Sequence, residues 1–218
     1  MPGIVHVVDD DASFRTAIER RLKKAGYQVL TYPSARQLLD HLPEGDEPSC
    51  VLLDVRIPGL SGPELQGRLG ELGSTLPIVF LTGHADIQTT VQTIKAGADD
   101  FLTKPVSSER LLHAVERALA HHEAVLRQRH RMDSVRSQIA TLTPRERQVF
   151  ELVVRGKINK QIAHELGTTE RTVKAHRQQV MEKTKVQSLA ELVSIAERLG
   201  LIQGPEKDDR GQGGAGFA

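Results

Sequence analysis

Cys50-Val51-Leu52-Leu53-Asp54 is a run of four apolar residues that ends on a carboxylate. A run this short and this apolar reads as a strand covered on both faces. Four more β-rich runs flank it, at 4–8, 28–32, 78–82 and 99–103. Amphipathic stretches separate them at 12–25, 34–42, 63–72 and 86–96, and a longer one starts at Ser107. Ser13 and Ser34 suit helix N-caps, and Gly26 and Gly97 stand where helices should stop. The alternation predicts a doubly wound α/β domain of five parallel strands in the order 2-1-3-4-5.

In such a sheet, ligands bind at the carboxyl ends of the strands, where the order reverses. The residues at those ends are Asp9 and Asp10, then Asp54, then Thr82, with Lys104 after the last strand. Three clustered carboxylates repel one another, and a hard divalent cation such as Mg²⁺ relieves that by oxygen ligation. A carboxylate can then attack phosphorus. The transferring group needs the metal on one side and a cation or hydroxyl on the other, roles that suit Lys104 and Thr82. Asp54 is the candidate nucleophile, because the turn Val55-Arg56-Ile57-Pro58-Gly59 exposes it. An Asp-nucleophile phosphatase of the haloacid-dehalogenase kind would need a second Asp two residues later, and that position holds Arg56.

The second half follows a different pattern. Thr143-Pro144 opens a helical region, with helices expected at 144–155, 159–166, 170–183 and 188–199. Gly167-Thr168-Thr169 separates the second and third as a tight turn, giving helix-turn-helix within an all-α four-helix domain. At 100° per residue Val173 and Val180 share one face of the third helix, with His176 at its edge. Arg171, Lys174, Ala175 and Gln178 share the opposite face. That face offers donors to base edges and one small residue for close approach to a groove. Asn159, Lys160, Lys183 and Lys185 flank it and suit backbone contacts. A solvated face used for protein or RNA contacts is the competing reading.

Between these halves, 107–139 contains neither Pro nor Gly. Leu111, Ala118, Val125, Met132 and Ile139 recur every seven residues, which fits a helical seam. The alternatives are one continuous helix, or a last helix ending near Ala120 followed by a flexible linker. His121 and His122, adjacent on that helix, are expected on the surface.

Charge follows the division. Residues 1–106 carry 10 positive and 14 negative groups, while 141–203 carry 11 and 7. An acidic front suits a cation site, and a basic back suits a polyanion. The single cysteine, Cys50, excludes a disulfide framework and reads as a buried thiol. No charged leader and no apolar stretch of spanning length is seen, so a cytoplasmic protein without membrane contact is expected. The domain limits expected are 1–120, a helical linker at 121–140, 141–203, and a disordered Gly-rich tail at 204–218.

Asp9-Asp10, Asp54 with Ile57-Pro58 and Gly62, Thr82-Gly83, and Lys104-Pro105 resemble the receiver domain of two-component response regulators. Ile57 stands where that family usually has Met, a change of little volume. The resemblance implies Asp54 as phosphoacceptor, charged by a sensor histidine kinase. It implies Asp10 as a direct Mg²⁺ ligand, Asp9 as one through water, and the Arg56 backbone carbonyl as another. Thr82 and Lys104 would hold the phosphoryl oxygens, Phe101 would be the switch aromatic, and Lys104-Pro105 would be cis.

Thr143-Pro144-Arg145-Glu146-Arg147-Gln148-Val149, Asn159-Lys160-Gln161-Ile162-Ala163 and Thr172-Val173-Lys174-Ala175-His176 resemble the LuxR-type output domain. Together the halves look like the NarL/FixJ class, nearest its FixJ branch. That implies a transcription factor, not an enzyme, with Lys174, Ala175 and Gln178 facing the bases of double-stranded promoter DNA. It also implies a homodimer on phosphorylation, with RNA polymerase a candidate partner.

Overall fold

The computed structural model describes residues 3–43, 45–83 and 87–202. The chain forms two compact units that divide between Gln128 and Arg129. The first contains strands β1 (Ile4–Val8), β2 (Gln28–Tyr32), β3 (Ser49–Asp54), β4 (Ile78–Thr82) and β5 (Asp100–Thr103). Its helices are α1 (Ala12–Lys24), α2 (Ala35–Leu39), α3 (Gly62–Glu71) and α4 (Ile87–Lys95). It also takes the first part of α5 (Ser108–Ala140). The second unit holds α6 (Pro144–Val154), α7 (Asn159–Glu165), α8 (Glu170–Thr184) and α9 (Leu189–Arg198).

The sheet is wholly parallel, in the order β2-β1-β3-β4-β5. Every residue of β3 and β4 is buried, because helices cover both faces. Alternate side chains feed two cores. On one face Val5, Val7, Cys50, Leu52, Val79 and Leu81 pack with Ile18 and Leu22 of α1 and Leu111, Ala114, Val115 and Ala118 of α5. On the other, Val8, Val51, Leu53 and Phe80 pack with Leu38, Leu65 and Leu69 of α2 and α3. Register sets β1 against both neighbours at once, with Ile4 opposite Gln28 and Ser49. The strand ends that carry Asp9 and Asp54 therefore lie side by side.

Three expectations need correction. Asp11 rather than Ser13 caps α1: its carboxylate accepts from the Ser13 and Phe14 amides at 2.8 and 3.2 Å. The helix expected at 34–42 stops at Leu39. The residues beyond it turn, and the ring of His41 bonds back to the Gln37 carbonyl at 2.9 Å. The third correction is His122, which is buried. Its Nδ1 accepts from the Ser49 amide at 2.9 Å and its Nε2 lies 3.4 Å from Thr75 Oγ1. Adjacent helical residues do diverge, but one of them can still face the core. Burial lowers the His122 pKa, helped by the neighbouring His121 charge.

The stretch from Ser108 to Ala140 is one continuous helix. Its seven-residue recurrence is shared between two cores rather than forming one seam. Leu111 and Ala118 lie in the sheet core, Ile139 lies in the core of the second unit, and Met132 packs against the latter. That second core gathers Val149, Phe150 and Val153 of α6, Ile162 of α7, Val173 and Val180 of α8, and Leu192 and Ile195 of α9. Thr143 and Glu146 close a capping box at the start of α6. Between α7 and α8, Gly167 takes φ +59°, a left-handed conformation that few side chains tolerate. Thr169 then caps α8 by accepting from the Thr172 amide at 3.2 Å. The tail at 204–218 and the start of the helix expected at 86–96 lie outside the described residues.

Candidate functional site

The carboxylates of Asp9, Asp10 and Asp54 converge at the carboxyl end of the sheet, with one ligand oxygen from each within 4.8 Å of the others. Asp9 and Asp54 are buried and Asp10 is exposed. Lys104, which directly follows β5 and is joined to Pro105 by a cis bond, reaches back over the cluster. Its ammonium donates to Asp9 Oδ2 at 2.5 Å and Asp54 Oδ2 at 2.8 Å. Asp9 Oδ1 accepts from the Asp11 amide at 2.9 Å, and Asp54 Oδ1 accepts from the Arg56 amide at 3.3 Å. Thr82 ends β4, buried beside Asp54's strand, and its carbonyl accepts from the Lys104 amide at 2.7 Å. Phe101 is half-buried on β5, its ring centroid 6.2 Å from that of Phe80.

Electrostatics follow from that geometry. Burial raises the Asp9 pKa more than the Lys104 and Asp11 bonds lower it. Burial would lower the Lys104 pKa, but its bonds to Asp54 and Asp9 outweigh that and raise it. One ammonium faces three carboxylates, so the site retains an excess of negative charge. A hard cation about 2.1 Å from each oxygen spans oxygens up to about 4.2 Å apart. Three carboxylate oxygens within 4.8 Å of one another are a donor set that suits such an ion.

In the second unit, Arg171, Lys174, Ala175 and Gln178 are exposed along α8, while Val173 and Val180 are buried on its other side. His176 is half-buried. Lys160 is exposed on α7, and Asn159 Oδ1 accepts from Arg177 Nη1 at 3.1 Å. Lys185 is exposed just past α8, in a left-handed conformation at φ +52°. Lys183 does not stand free for a phosphate. Its ammonium donates to both oxygens of the buried Glu146, at 2.9 and 2.7 Å. That contact lowers the Glu146 pKa and fixes α8 to the capping box of α6.

Two family models match the chain. "Response regulator receiver domain" covers residues 5–116, and "Bacterial regulatory proteins, luxR family" covers 140–196. Nodulation protein W of Bradyrhizobium diazoefficiens is 42% identical over 199 residues, spanning 91% of this chain and 87% of that protein. The transcriptional regulatory protein FixJ of the same organism is 40% identical over 200 residues, spanning 92% and 97%. The solved structure of the response regulator StyR matches with a TM-score of 0.75 at 43% identity, covering 91% of this chain and all of that one. The chain is a response regulator of the NarL/FixJ class. It is a transcription regulator controlled by phosphorylation, with a receiver and a LuxR-type output domain.

Two residues of this response regulator's pocket escaped sequence reading. Arg15 Nη1 donates to the Asp9 carbonyl at 2.5 Å, and the Lys104 ammonium lies 4.0 Å over the ring of Phe14. Their position in the first turn of the helix that follows Asp9-Asp10-Asp11 was the only available signal. Gly62 opens α3 directly against the phosphoacceptor candidate's strand. A Cβ there would lie 2.4 Å from the Asp54 carbonyl oxygen and 2.9 Å from the Phe80 ring. Among the described residues, no helix is long and apolar enough to cross a membrane.

Proposed function

We propose that Asp54 is the phosphoacceptor of this response regulator and that its phosphorylation by a sensor histidine kinase controls binding to promoter DNA. The observation that carries this reading is the Lys104 ammonium bridging Asp9 and Asp54 at 2.5 and 2.8 Å. It marks the point where an incoming anion finds a nucleophilic oxygen and a cation together. Asp9, Asp10, Asp54 and the Arg56 carbonyl are the groups that would hold Mg²⁺. When bound, that ion neutralises charge on the phosphoryl oxygens. An Asp54 oxygen attacks phosphorus and the bond to the donor imidazole breaks. Lys104 steadies one phosphoryl oxygen and the Thr82 hydroxyl another.

Thr82 then moves toward the phosphoryl group and Phe101 turns inward. The face formed by residues 86–103 is remodelled and pairs two chains. Two output domains reach half-sites about 10 base pairs apart. Lys174, Ala175 and Gln178 face bases, joined by Arg171 and His176, while Asn159, Lys160 and Lys185 contact the backbone. Lys183 is left out of that set because Glu146 holds it. The domains in this reading are a receiver at 1–120, a helical linker at 121–140, an output domain at 141–203 and a tail. Support for the linker comes from Leu119, the last α5 residue in the sheet core, and Val135, the first in the other core. RNA polymerase is the partner expected once the dimer is on DNA.

The test is promoter binding by the full chain with and without acetyl phosphate and Mg²⁺, for wild type and Asp54→Ala. Wild type gains affinity with the phosphodonor and the variant does not. Equal affinity of both proteins under both conditions overturns the coupling.

A further inference from the structure

Over residues 90–95 of α4, Thr93 is the one buried residue, while Val91 and Ile94 are each 46% exposed. That stretch of helix therefore has little apolar anchorage of its own. What reaches it is Gln66, a buried side chain of α3. The Gln66 amide Nε2 donates to the Thr93 carbonyl at 3.2 Å. The same carbonyl accepts from the Ala98 amide at 3.0 Å, and the Gly97 amide bonds to the Ile94 carbonyl at 3.0 Å. Gln66 thus adds a donor from a neighbouring helix to the C-terminal cap of α4, where the chain turns into β5.

The other end of this connection is the phosphoacceptor loop. Gly62, one turn before Gln66, donates its amide to the Val55 carbonyl at 3.1 Å, and its bare Cα sits against the Asp54 carbonyl. Leu65 and Leu69 are fully embedded in the sheet's core, so α3 is a fixed bracket. It starts against the Val55 carbonyl just past β3, and its Gln66 donates a hydrogen bond to α4.

We infer that Gln66 is a positioning residue that holds α4 to α3 and sets the resistance that phosphorylation must overcome to remodel the 86–103 face. This rests on the proposed reading of Asp54. A rearrangement passed from Thr82 into α4 has to displace the Thr93 carbonyl from a donor that does not move with it. The buried amide sets a threshold, and the exposed Val91 and Ile94 are the apolar surface carried by the helix it restrains.

Gln66→Met keeps the volume and removes the donor. The Thr93 carbonyl keeps its Ala98 partner, so no buried acceptor is orphaned. Self-association of the full chain is measured by sedimentation with and without acetyl phosphate and Mg²⁺. Without phosphodonor, Gln66→Met should dimerise about 25-fold more tightly than wild type, about fivefold for the one net hydrogen bond lost in each of the two protomers. With it, the two should match, so the ratio between the conditions shrinks about 25-fold. Gln66→Glu, which sets a carboxylate against the carbonyl, should shift the same constant further. A purely structural role would lower the unfolding midpoint and leave the ratio untouched, which overturns the inference. A wild type that ignores the phosphodonor overturns the Asp54 reading, and this one with it. A responsive wild type with unchanged ratios in both variants overturns this one alone. Should Gln66→Met misfold, hydrogen exchange in wild type takes its place: the Gln66 side-chain amide must lose protection on phosphorylation, and unchanged protection refutes the threshold.

Discussion

The acidic pocket and the exposed face of α8 are built on opposite principles. The pocket joins Asp9 to Lys104, 95 residues apart, and it exists only because parallel register brings strand ends together. The α8 face needs eight consecutive residues and the helical period. The pocket is mostly buried, so each charge is strengthened and constrained by its neighbours. The face is exposed, so its charges act nearly independently and in a salt-dependent way. Chemistry that makes a bond sits where tertiary structure controls every atom. In the proposed reading, recognition that must be reversible sits on one rigid rod.

That contrast can be broken experimentally. The largest effect expected is on the pocket's chemistry: Asp54→Ala should reduce labelling by a radioactive phosphodonor to background. Persistent labelling would place the acceptor elsewhere. Next comes the sheet's core. Phe80→Ala should cost the receiver about 3–5 kcal/mol, read as lost exchange protection in β1, β3 and β4. Amides of α6–α9 should keep theirs, and a parallel loss would mean that the two cores unfold as one.

Acid should separate the two regions as well. Burial pushes the His6 pKa down to about 4 from 6.5. Between those values the unfolded chain binds the proton and the folded chain does not. Stability from neutral His6 is therefore complete above pH 6.5 and lost as pH falls toward 4, by up to about 3 kcal/mol. His122 acts in the same direction. In the output domain the lowered groups are carboxylates, Glu146 and Glu191, whose contribution disappears only below their unfolded value of 4.5. Melts from pH 7 to 4 should thus weaken the receiver first. Simultaneous loss would refute the assignment, and His6→Phe should flatten the receiver's profile above pH 4.

The smallest effects belong to the proposed DNA face. Lys174→Ala should weaken specific binding by about 1–3 kcal/mol and relax selection at one base pair. Lys160→Ala should weaken all sequences alike and reduce the salt slope by about 1. If the two variants behave identically, α8 does not read bases.

Much of this is legible in the sequence. Central strands without polar interruptions announced themselves, and β1, β2 and β4 fall where the apolar runs do. Pocket residues were legible because the fold rule fixes what strand ends do, whatever lies between. Contacts between helices were not. Nothing local ties Gln66 to Thr93, Lys183 to Glu146, or Phe14 to Lys104. His122 could have been found: Leu111, Val115, Ala118 and His122 continue one stripe at helical spacing. The seven-residue recurrence marked one continuous helix but left its packing open, since it cannot say whether one partner or two consume it.

Gly62 carries no charge, no donor beyond its backbone and no role in transfer, yet one added methyl would strike the Asp54 carbonyl. A genetic screen for signalling-dead alleles should therefore return position 62 beside the aspartates. Taken at face value, such an allele would pass for a lost ligand, when what it removed was the clearance that lets a helix start there.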